Sequence, residues 1–414
     1  MTKLEALGAR TKAAARVLMT AATTTKNAAL EAAAAAIEAQ TPEILAANEK
    51  DLAQAQAAGM ANAMLDRLAL SEERLKGIAD GVREVAQLPD PVGTVLSETE
   101  RPNGLKIQKV SVPLGVIAVI FEARPNVSAD AAALCLKSGN AVLLRGGKEA
   151  IRSNTAIVSA MRSALEAAGL PADCICLVED TSRESARELM RLNGYVDVLI
   201  PRGGAGLIRS VVENATVPVI ETGVGNCHIY VDKDADIPMA AEIVYNAKTS
   251  RVSVCNAAES LLVHSAAAEK ALPAIYARLA EKQVTLYGDE RACAILPGIE
   301  KATEDDWGRE YLDYKMSVKV VDSLDAAIAH IARYSSGHSD CIVTENASAA
   351  ERFLNEVDSA AVYWNASTRF TDGGCFGFGA EIGISTQKLH ARGPLGLPQL
   401  TSFKYKVYGD GQIR

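Results

Sequence analysis

From Gly115 onward, short apolar runs alternate with helical stretches, and this alternation restricts the fold more than any other feature of the chain. Each apolar run has the length of a buried strand, and each spacer is rich in helix-forming residues. The predicted strands of this first series are 116–121, 141–144, 174–178, 196–200 and 217–220. The predicted helices are 128–138, 153–168, 183–192 and 205–214. Five runs with helical spacers predict a doubly wound parallel sheet, an architecture that binds dinucleotides at the carboxyl ends of its strands.

A second alternation begins near Pro238 and predicts a smaller α/β domain. Its predicted strands are 259–264, 284–287, 318–321, 341–344 and 361–364. Its predicted helices are 238–248, 266–282, 323–334 and 347–356. Because 414 residues exceed what one hydrophobic core usually serves, two domains are expected. We predict a cofactor domain over 1–235, a catalytic domain over 236–365, and a segment over 366–414 that returns to the cofactor domain.

Four segments lie outside the two alternations. Residues 2–88 are dominated by Ala, Leu, Glu, Lys and Gln, and they predict a helical layer. Residues 94–111 predict a hairpin around the turn Arg101–Gly104, which packs on its own domain or pairs with another subunit. The alternating tail 402–408 predicts a final strand, at an edge or between subunits. The glycine-rich stretch 373–379 predicts a loop that is either a flexible surface loop or bends close to a ligand or another backbone.

Composition removes several classes of function. The net charge of -8 gives no reason to expect nucleic acid or an anionic membrane as partner. Eight cysteines without paired metal-binding spacing indicate a reducing compartment, and we expect no metal site. The N-terminal segment carries charges and no apolar core run, so it does not resemble a secretory signal. Its basic residues before Lys26 leave an organelle transit peptide as the alternative to a cytoplasmic location.

Cys255 lies in the stretch Ser250-Arg-Val-Ser-Val-Cys-Asn-Ala257, between a predicted helix and a predicted strand. A single cysteine is usually a buried and inert small hydrophobe. This one lies near the start of the second predicted domain, and pockets tend to form near domain junctions. We therefore interpret Cys255 as the candidate nucleophile.

Three stretches after predicted strands point to the same chemistry. Asn126, in Glu122-Ala-Arg-Pro-Asn-Val, offers an amide to a developing oxyanion, although a turn or helix cap is the alternative. Arg145 and Lys148 flank paired glycines, a combination that suits phosphate, or else form a solvated turn. Gly203 and Gly204 permit close backbone approach at a helix N-terminus, without the full Gly-x-Gly-x-x-Gly spacing. We expect dinucleotide binding that departs from the ordinary Rossmann mode.

Six motifs, in order along the chain, resemble the gamma-glutamyl phosphate reductase family of the aldehyde dehydrogenase superfamily. They are Glu122-Ala-Arg-Pro-Asn-Val, Leu144-Arg-Gly-Gly-Lys, Pro201-Arg-Gly-Gly, Glu221-Thr-Gly-Val-Gly-Asn-Cys-His, Val254-Cys-Asn-Ala-Ala-Glu and His390-Ala-Arg-Gly-Pro-Leu-Gly-Leu-Pro. The resemblance implies an aldehyde dehydrogenase-like α/β fold, with a Rossmann-type cofactor domain, a smaller α/β catalytic domain, and an oligomerisation hairpin and tail.

The same resemblance implies NADPH-dependent reduction of L-glutamyl 5-phosphate to L-glutamate 5-semialdehyde in proline biosynthesis, with release of phosphate. Cys255 matches the nucleophile that forms a thioester, and Asn126 matches the oxyanion amide, with the Cys255 backbone N–H as second donor. No fused kinase half is visible, and the family implies a homo-oligomer and a functional partnership with glutamate 5-kinase.

The resemblance also implies roles for further residues. Arg145 and Lys148 match cofactor-ribose contacts, Gly203 and Gly204 match the pyrophosphate loop, and Glu310 resembles the glutamate that holds the nicotinamide ribose. Glu221 matches a glutamate that activates water in hydrolytic relatives, a role that would waste the thioester here. Candidates for the anionic substrate groups are Arg251, Arg369 and Arg392, each of which could equally be a surface or salt-bridge arginine.

Two rival functions stay open at this stage. The first is another enzyme of the superfamily that oxidises a free aldehyde to an acid. The second is a catalytically silent, oligomeric binding protein that keeps the fold.

Overall fold

The computed structural model describes residues 1–62 and 64–414 with their side chains, and the chain divides into two compact units. The first unit comprises Met1–Thr222, Gly377–Gly383 and Leu395–Arg414. The second comprises Gly223–Phe376 and Ile384–Pro394. The boundary thus lies before residue 223 rather than near 235, and the last residues of the chain are divided between the units.

Helices and strands follow one another as the alternating pattern predicts. Up to residue 222 they are α1 (Lys3–Leu18), α2 (Thr23–Ala39), α3 (Thr41–Ala57), α4 (Asn62–Leu68), α5 (Glu72–Gln87), β1 (Val95–Glu100), β2 (Lys106–Pro113), β3 (Val116–Phe121), α6 (Asn126–Lys137), β4 (Ala141–Arg145), α7 (Ile151–Ala167), β5 (Ile175–Leu177), α8 (Arg183–Leu189), β6 (Val198–Arg202) and α9 (Ala205–Asn214). Beyond it they are β7 (Cys227–Val231), α10 (Ile237–Thr249), β8 (Ala258–His264), α11 (Ser265–Ala280), β9 (Thr285–Gly288), α12 (Glu290–Ile295), β10 (Glu300–Lys301), β11 (Lys315–Val321), α13 (Leu324–Tyr334), β12 (Ser339–Val343), α14 (Ala347–Glu356), β13 (Ala361–Trp364), β14 (Ile384–Ser385), β15 (Gly393–Pro394) and β16 (Thr401–Tyr408).

The first unit contains a four-stranded parallel sheet in the order β5-β4-β3-β6. Its central strand β3 is buried at every position, as expected of a strand covered on both faces by helices. The predicted fifth strand, 217–220, is reduced to a single bridge between Leu199 and Val219. Pro218 has no N–H to donate, so the ladder cannot continue along this segment.

The predicted hairpin forms from β1 and β2, which pair antiparallel, and the chain's last strand β16 joins β2 on the other side. Gly104 adopts a φ of +85° in the connecting turn, where its N–H donates to the Arg101 carbonyl at 2.8 Å. Strand β1 is exposed along its whole length. The hairpin therefore packs on the C-terminal strand of its own chain and presents β1 as a free edge.

The second unit is built on a seven-stranded sheet in the order β10-β9-β11-β8-β7-β12-β13, parallel throughout. Two of its strands, β7 and β10, are absent from the pattern-based prediction. Strand β7 is fully buried between β8 and β12, and it begins within the motif Glu221–His228. Because β7 belongs to the second sheet, the second unit begins at Gly223, earlier in the chain than predicted. Among the described residues, no helix is long and apolar enough to cross a membrane.

Candidate active site

Cys255 lies on a short loop between the end of α10 and the start of β8, and its side chain is half-buried. The Ala257 N–H donates to the Val254 carbonyl at 3.2 Å, which closes a turn around the thiol. All eight cysteines are free thiols. The location agrees with the predicted position between a helix and a strand, but β7 and α10 precede Cys255 in the second unit, so the thiol does not begin that unit.

On one side, the Asn256 side chain ties this loop to residues 368–371. Its Nδ2 donates to the carbonyls of Thr371 at 2.9 Å and Arg369 at 3.2 Å, and its Oδ1 accepts from Arg369 Nη1. The Thr368 hydroxyl donates to the Asn256 carbonyl at 2.8 Å. Every polar atom of a buried amide is thus satisfied, so the residue after the thiol is held firmly.

On the other side, Gly225 and Cys227 contact the Cys255 backbone directly. The Cys227 thiol donates to the Cys255 carbonyl at 3.2 Å. A Cβ on Gly225 would lie 1.5 Å from that carbonyl oxygen, so only glycine allows the approach. The Gly225 N–H donates to Glu310 Oε1 at 2.7 Å, and burial raises the pKa of Glu310. One oxygen of Glu310, expected at the cofactor ribose, therefore supports the nucleophile loop.

The three candidate substrate arginines differ in what they contact. Arg369 Nε donates to Ser250 Oγ at 3.0 Å, and burial lowers the pKa of Arg369, as does the nearby charge of Arg251. Arg251 is exposed and makes no hydrogen bond or ion pair with the described residues. Arg392 binds Asp358 through two contacts, Nη1–Oδ1 at 2.8 Å and Nη2 to the carbonyl at 2.6 Å. Arg251 and Arg369 therefore lie at the loop that carries Cys255, whereas Arg392 forms an ion pair with Asp358.

A buried ion pair that the sequence reasoning missed underlies the same loop. Lys248 Nζ lies 2.6 Å from Glu259 Oε2, and neither side chain is exposed. Glu259 Oε1 also accepts from the Leu312 N–H at 3.1 Å. Burial lowers the pKa of Lys248 and raises that of Glu259 to about 7. The sequence offered one signal for this residue, because Glu259 is the last residue of the motif Val254–Glu259.

In the first unit, Asn126 opens α6, and its Nδ2 donates to Asp130 Oδ2 at 2.8 Å. The side chain bonds another side chain rather than a backbone N–H, so it does not act as a helix cap. Burial raises the pKa of Asp130 to about 6, while the charge of Arg202 opposes the rise. Asp130 was overlooked in the sequence, although its spacing of four residues from Asn126 places both on one helix face.

The loop after β4 supports the loop after β3. Glu149 Oε1 accepts from the N–H of Ala123, a non-glycine residue at a φ of +22°. Arg145 Nη2 donates to the carbonyls of Thr181 at 2.7 Å and Ser182 at 2.8 Å. Arg145 therefore stabilises the chain segment that follows β5.

Lys148 is exposed and makes no hydrogen bond or ion pair with the described part of the chain, which leaves its ammonium available to a ligand.

Gly203 and Gly204 lie exposed at the N-terminus of α9. The Gly204 N–H donates to Glu122 Oε2 at 2.9 Å, so this amide already points at an anionic oxygen. A dinucleotide phosphate at this N–H would have to displace the Glu122 carboxylate, whereas the exposed Lys148 ammonium makes no ion pair with the described residues. Glu221 is half-buried in the segment after the Leu199–Val219 bridge, next to Thr222, whose hydroxyl donates to the Pro201 carbonyl at 2.8 Å. No group of His, Cys, Asp and Glu among the described residues is arranged to hold a metal ion.

Two features together define the aldehyde dehydrogenase class. One parallel-sheet unit exposes the glycines Gly203 and Gly204, and a second parallel-sheet unit carries the Cys255 thiol on a loop held from both sides. The model of the aldehyde dehydrogenase family matches residues 4–309. The crystal structure of an acetylating aldehyde dehydrogenase from Geobacillus thermoglucosidasius shares the fold at a TM-score of 0.71 and 18% identity, covering 100% of this chain and 97% of that one.

Full-length relatives narrow this class. A gamma-glutamyl phosphate reductase of Moorella thermoacetica is 59% identical over 412 residues, which are 100% of this chain and 99% of the relative. The crystal structure of gamma-glutamyl phosphate reductase from Thermotoga maritima matches with a TM-score of 0.98 and 48% identity over 100% of both chains. The chain belongs to the gamma-glutamyl phosphate reductase family, within the aldehyde dehydrogenase family, which confirms the resemblance and the predicted fold class. Membership implies an oxidoreductase with a nicotinamide cofactor.

Proposed function

We propose that this protein reduces L-glutamyl 5-phosphate to L-glutamate 5-semialdehyde with NADPH and releases phosphate, as a step of proline biosynthesis. The observation that carries the proposal is the half-buried Cys255 thiol, on a loop held from both sides, with Arg251 and Arg369 beside it. The names of the full-length relatives supply the substrate class.

The chemistry begins with attack of the Cys255 thiolate on the acyl carbon. A C–S bond forms, the C–O bond to phosphate breaks, and phosphate leaves with the electron pair. When bound, the nicotinamide cofactor would supply a hydride to the acyl carbon of the resulting thioester, which reduces it to a thiohemiacetal. Collapse of the thiohemiacetal then breaks the C–S bond, which frees the aldehyde and returns the thiolate. A rigid loop favours this sequence because the sulfur must meet the carbonyl in a narrow range of directions.

The charged and amide groups take distinct roles in this proposal. Arg251, which makes no hydrogen bond or ion pair with the described residues, and Arg369 attract the anionic groups of the substrate. The Asn126 amide has two N–H groups, and Asp130 accepts from its nitrogen at 2.8 Å. We assign the remaining N–H to a developing oxyanion. Lys148, Gly203 and Gly204 would hold the cofactor phosphates. A cytoplasmic location, a homo-oligomer and a partnership with glutamate 5-kinase stay predictions.

The reverse reaction provides the test. We expect NADP reduction by glutamate 5-semialdehyde to require phosphate or arsenate, and Cys255→Ala to abolish it. Cys293→Ala is the matched control, because Cys293 is another partly buried thiol of the same unit, on α12. Acid formation without phosphate would instead indicate a free-aldehyde oxidase. A wild type with neither turnover nor sensitivity to thiol alkylation would indicate a silent binding protein.

A further inference from the structure

The side chain of a second cysteine, Cys227, contacts the backbone of the proposed nucleophile Cys255. Cys227 is the first residue of β7 and is fully buried. Its Sγ lies 3.2 Å from the Cys255 carbonyl oxygen, a short distance for a sulfur donor. Burial raises the pKa of the Cys227 thiol well above its ordinary value, so the sulfur keeps its hydrogen and acts as a donor.

This contact is continuous with a buried polar network that reaches the other side of the same loop. Cys227 Sγ lies 3.8 Å from His338 Nδ1, which in turn lies 2.8 Å from Ser339 Oγ. Ser339 Oγ is 2.6 Å from the hydroxyl of Thr371, whose carbonyl accepts from Asn256. Cys255 and Asn256 are thus held by residues that also contact one another.

We propose that Cys227 is a positioning residue for the nucleophile: its thiol hydrogen bond to the Cys255 carbonyl holds the direction in which the Cys255 sulfur points. With Gly225 also packed against that carbonyl, the backbone that carries the Cys255 side chain is held in one position. A nucleophile with fewer orientations reaches the reactive geometry more often. This inference rests on the proposed role of Cys255.

The experiment compares Cys227→Ala, Cys227→Ser and Cys341→Ala. Cys341 is the matched control, because it is a fully buried thiol in β12 of the same sheet that donates to the Ile342 carbonyl. We expect Cys227→Ala to lower kcat about tenfold with KM changed less than about threefold, a loss of the size of one hydrogen bond that positions the nucleophile. Cys227→Ser keeps a donor, so its kcat should stay within about threefold of the wild type.

A second readout separates this inference from the proposed function. The rate at which iodoacetamide alkylates Cys255, followed by peptide mass spectrometry, needs no substrate, and we expect it to change in Cys227→Ala and to return in Cys227→Ser. Turnover surviving in Cys255→Ala would defeat the proposed function, while the alkylation rates would still decide the role of Cys227. Wild-type kcat and alkylation in Cys227→Ala, or equal losses in both Cys227 variants, would overturn the positioning role.

Discussion

Replacing Gly225 with alanine tests the closest backbone approach in the nucleophile loop. The added Cβ would lie 1.5 Å from the Cys255 carbonyl oxygen, 2.2 Å from its carbon and 2.5 Å from its Cα. Ordinary contact needs about 3.5 Å, so one backbone must move by about 2 Å. All three atoms are backbone atoms, and no side-chain rotation can relieve the overlap.

The expected consequence is a large loss of turnover. A misplacement of about 1 Å can cost about a hundredfold in rate, so we expect kcat of Gly225→Ala to fall at least about a hundredfold. Phosphate-dependent NADP reduction measures the activity, and circular dichroism and thermal melting report whether the fold survives.

Gly81→Ala is the matched control for this substitution. Gly81 lies inside α5, and a Cβ there would meet no atom within 4 Å. Because alanine is the better helix former by about 1 kcal/mol, this variant should keep full activity and gain slightly in stability. A folded Gly225→Ala protein with activity within about threefold of the wild type would refute the reasoning about the clamp.

Three further substitutions test other parts of the molecule. Lys148→Ala should raise the KM for NADPH several-fold and leave kcat nearly unchanged, because an exposed cation binds ground and transition states alike; an unchanged KM would remove Lys148 from the cofactor site. Glu259→Gln leaves buried Lys248 without its counter-ion, so urea unfolding should show a loss of about 3–5 kcal/mol, and a loss below about 1 kcal/mol would contradict the pairing. Asp130 has a folded pKa of about 6, above its ordinary value near 4, so its protonated form favours folding. Its contribution to the free energy of unfolding should therefore fall by up to about 3 kcal/mol as pH rises from 4 to 6. Asp130→Asn should lack this dependence, and identical pH profiles for the two proteins would disprove the shift.

Local pattern predicts the elements of this fold well and their partners poorly. The strand 116–121 and the hairpin around Arg101–Gly104 are confirmed, because apolar runs and turn residues act within a few positions of the chain. Strand β7 escaped prediction, since its residues Cys227–Val231 continue a motif that we interpreted as chemical. The segment 217–220 looked like a strand by composition, but Pro218 limits its pairing to one bridge.

For the candidate site too, residue types can be chosen from the sequence, while their contacts are seen only in the structure. Motif order and residue type single out Cys255, Asn126, Lys148 and the Gly203–Gly204 tip as candidates, because each follows a predicted strand or helix, and their roles stay predictions. Glu310 and Arg392 show the limit, since residue type alone does not reveal that one oxygen of Glu310 accepts from Gly225 and that the Arg392 guanidinium pairs with Asp358. A residue type states what a side chain can bind, and only its surroundings decide what it does bind.

The sequence by itself determined two α/β units, the family, and the loop on which Cys255 lies, because hydrophobic periodicity and linked motifs are properties of neighbouring residues. Only the tertiary structure decided how that loop is held. Asn256 meets Thr371 across 115 positions of the chain, and Cys227 meets Cys255 across 28. Such contacts arise when strands β7, β8 and β12 take their places in one sheet, and no local pattern encodes that order.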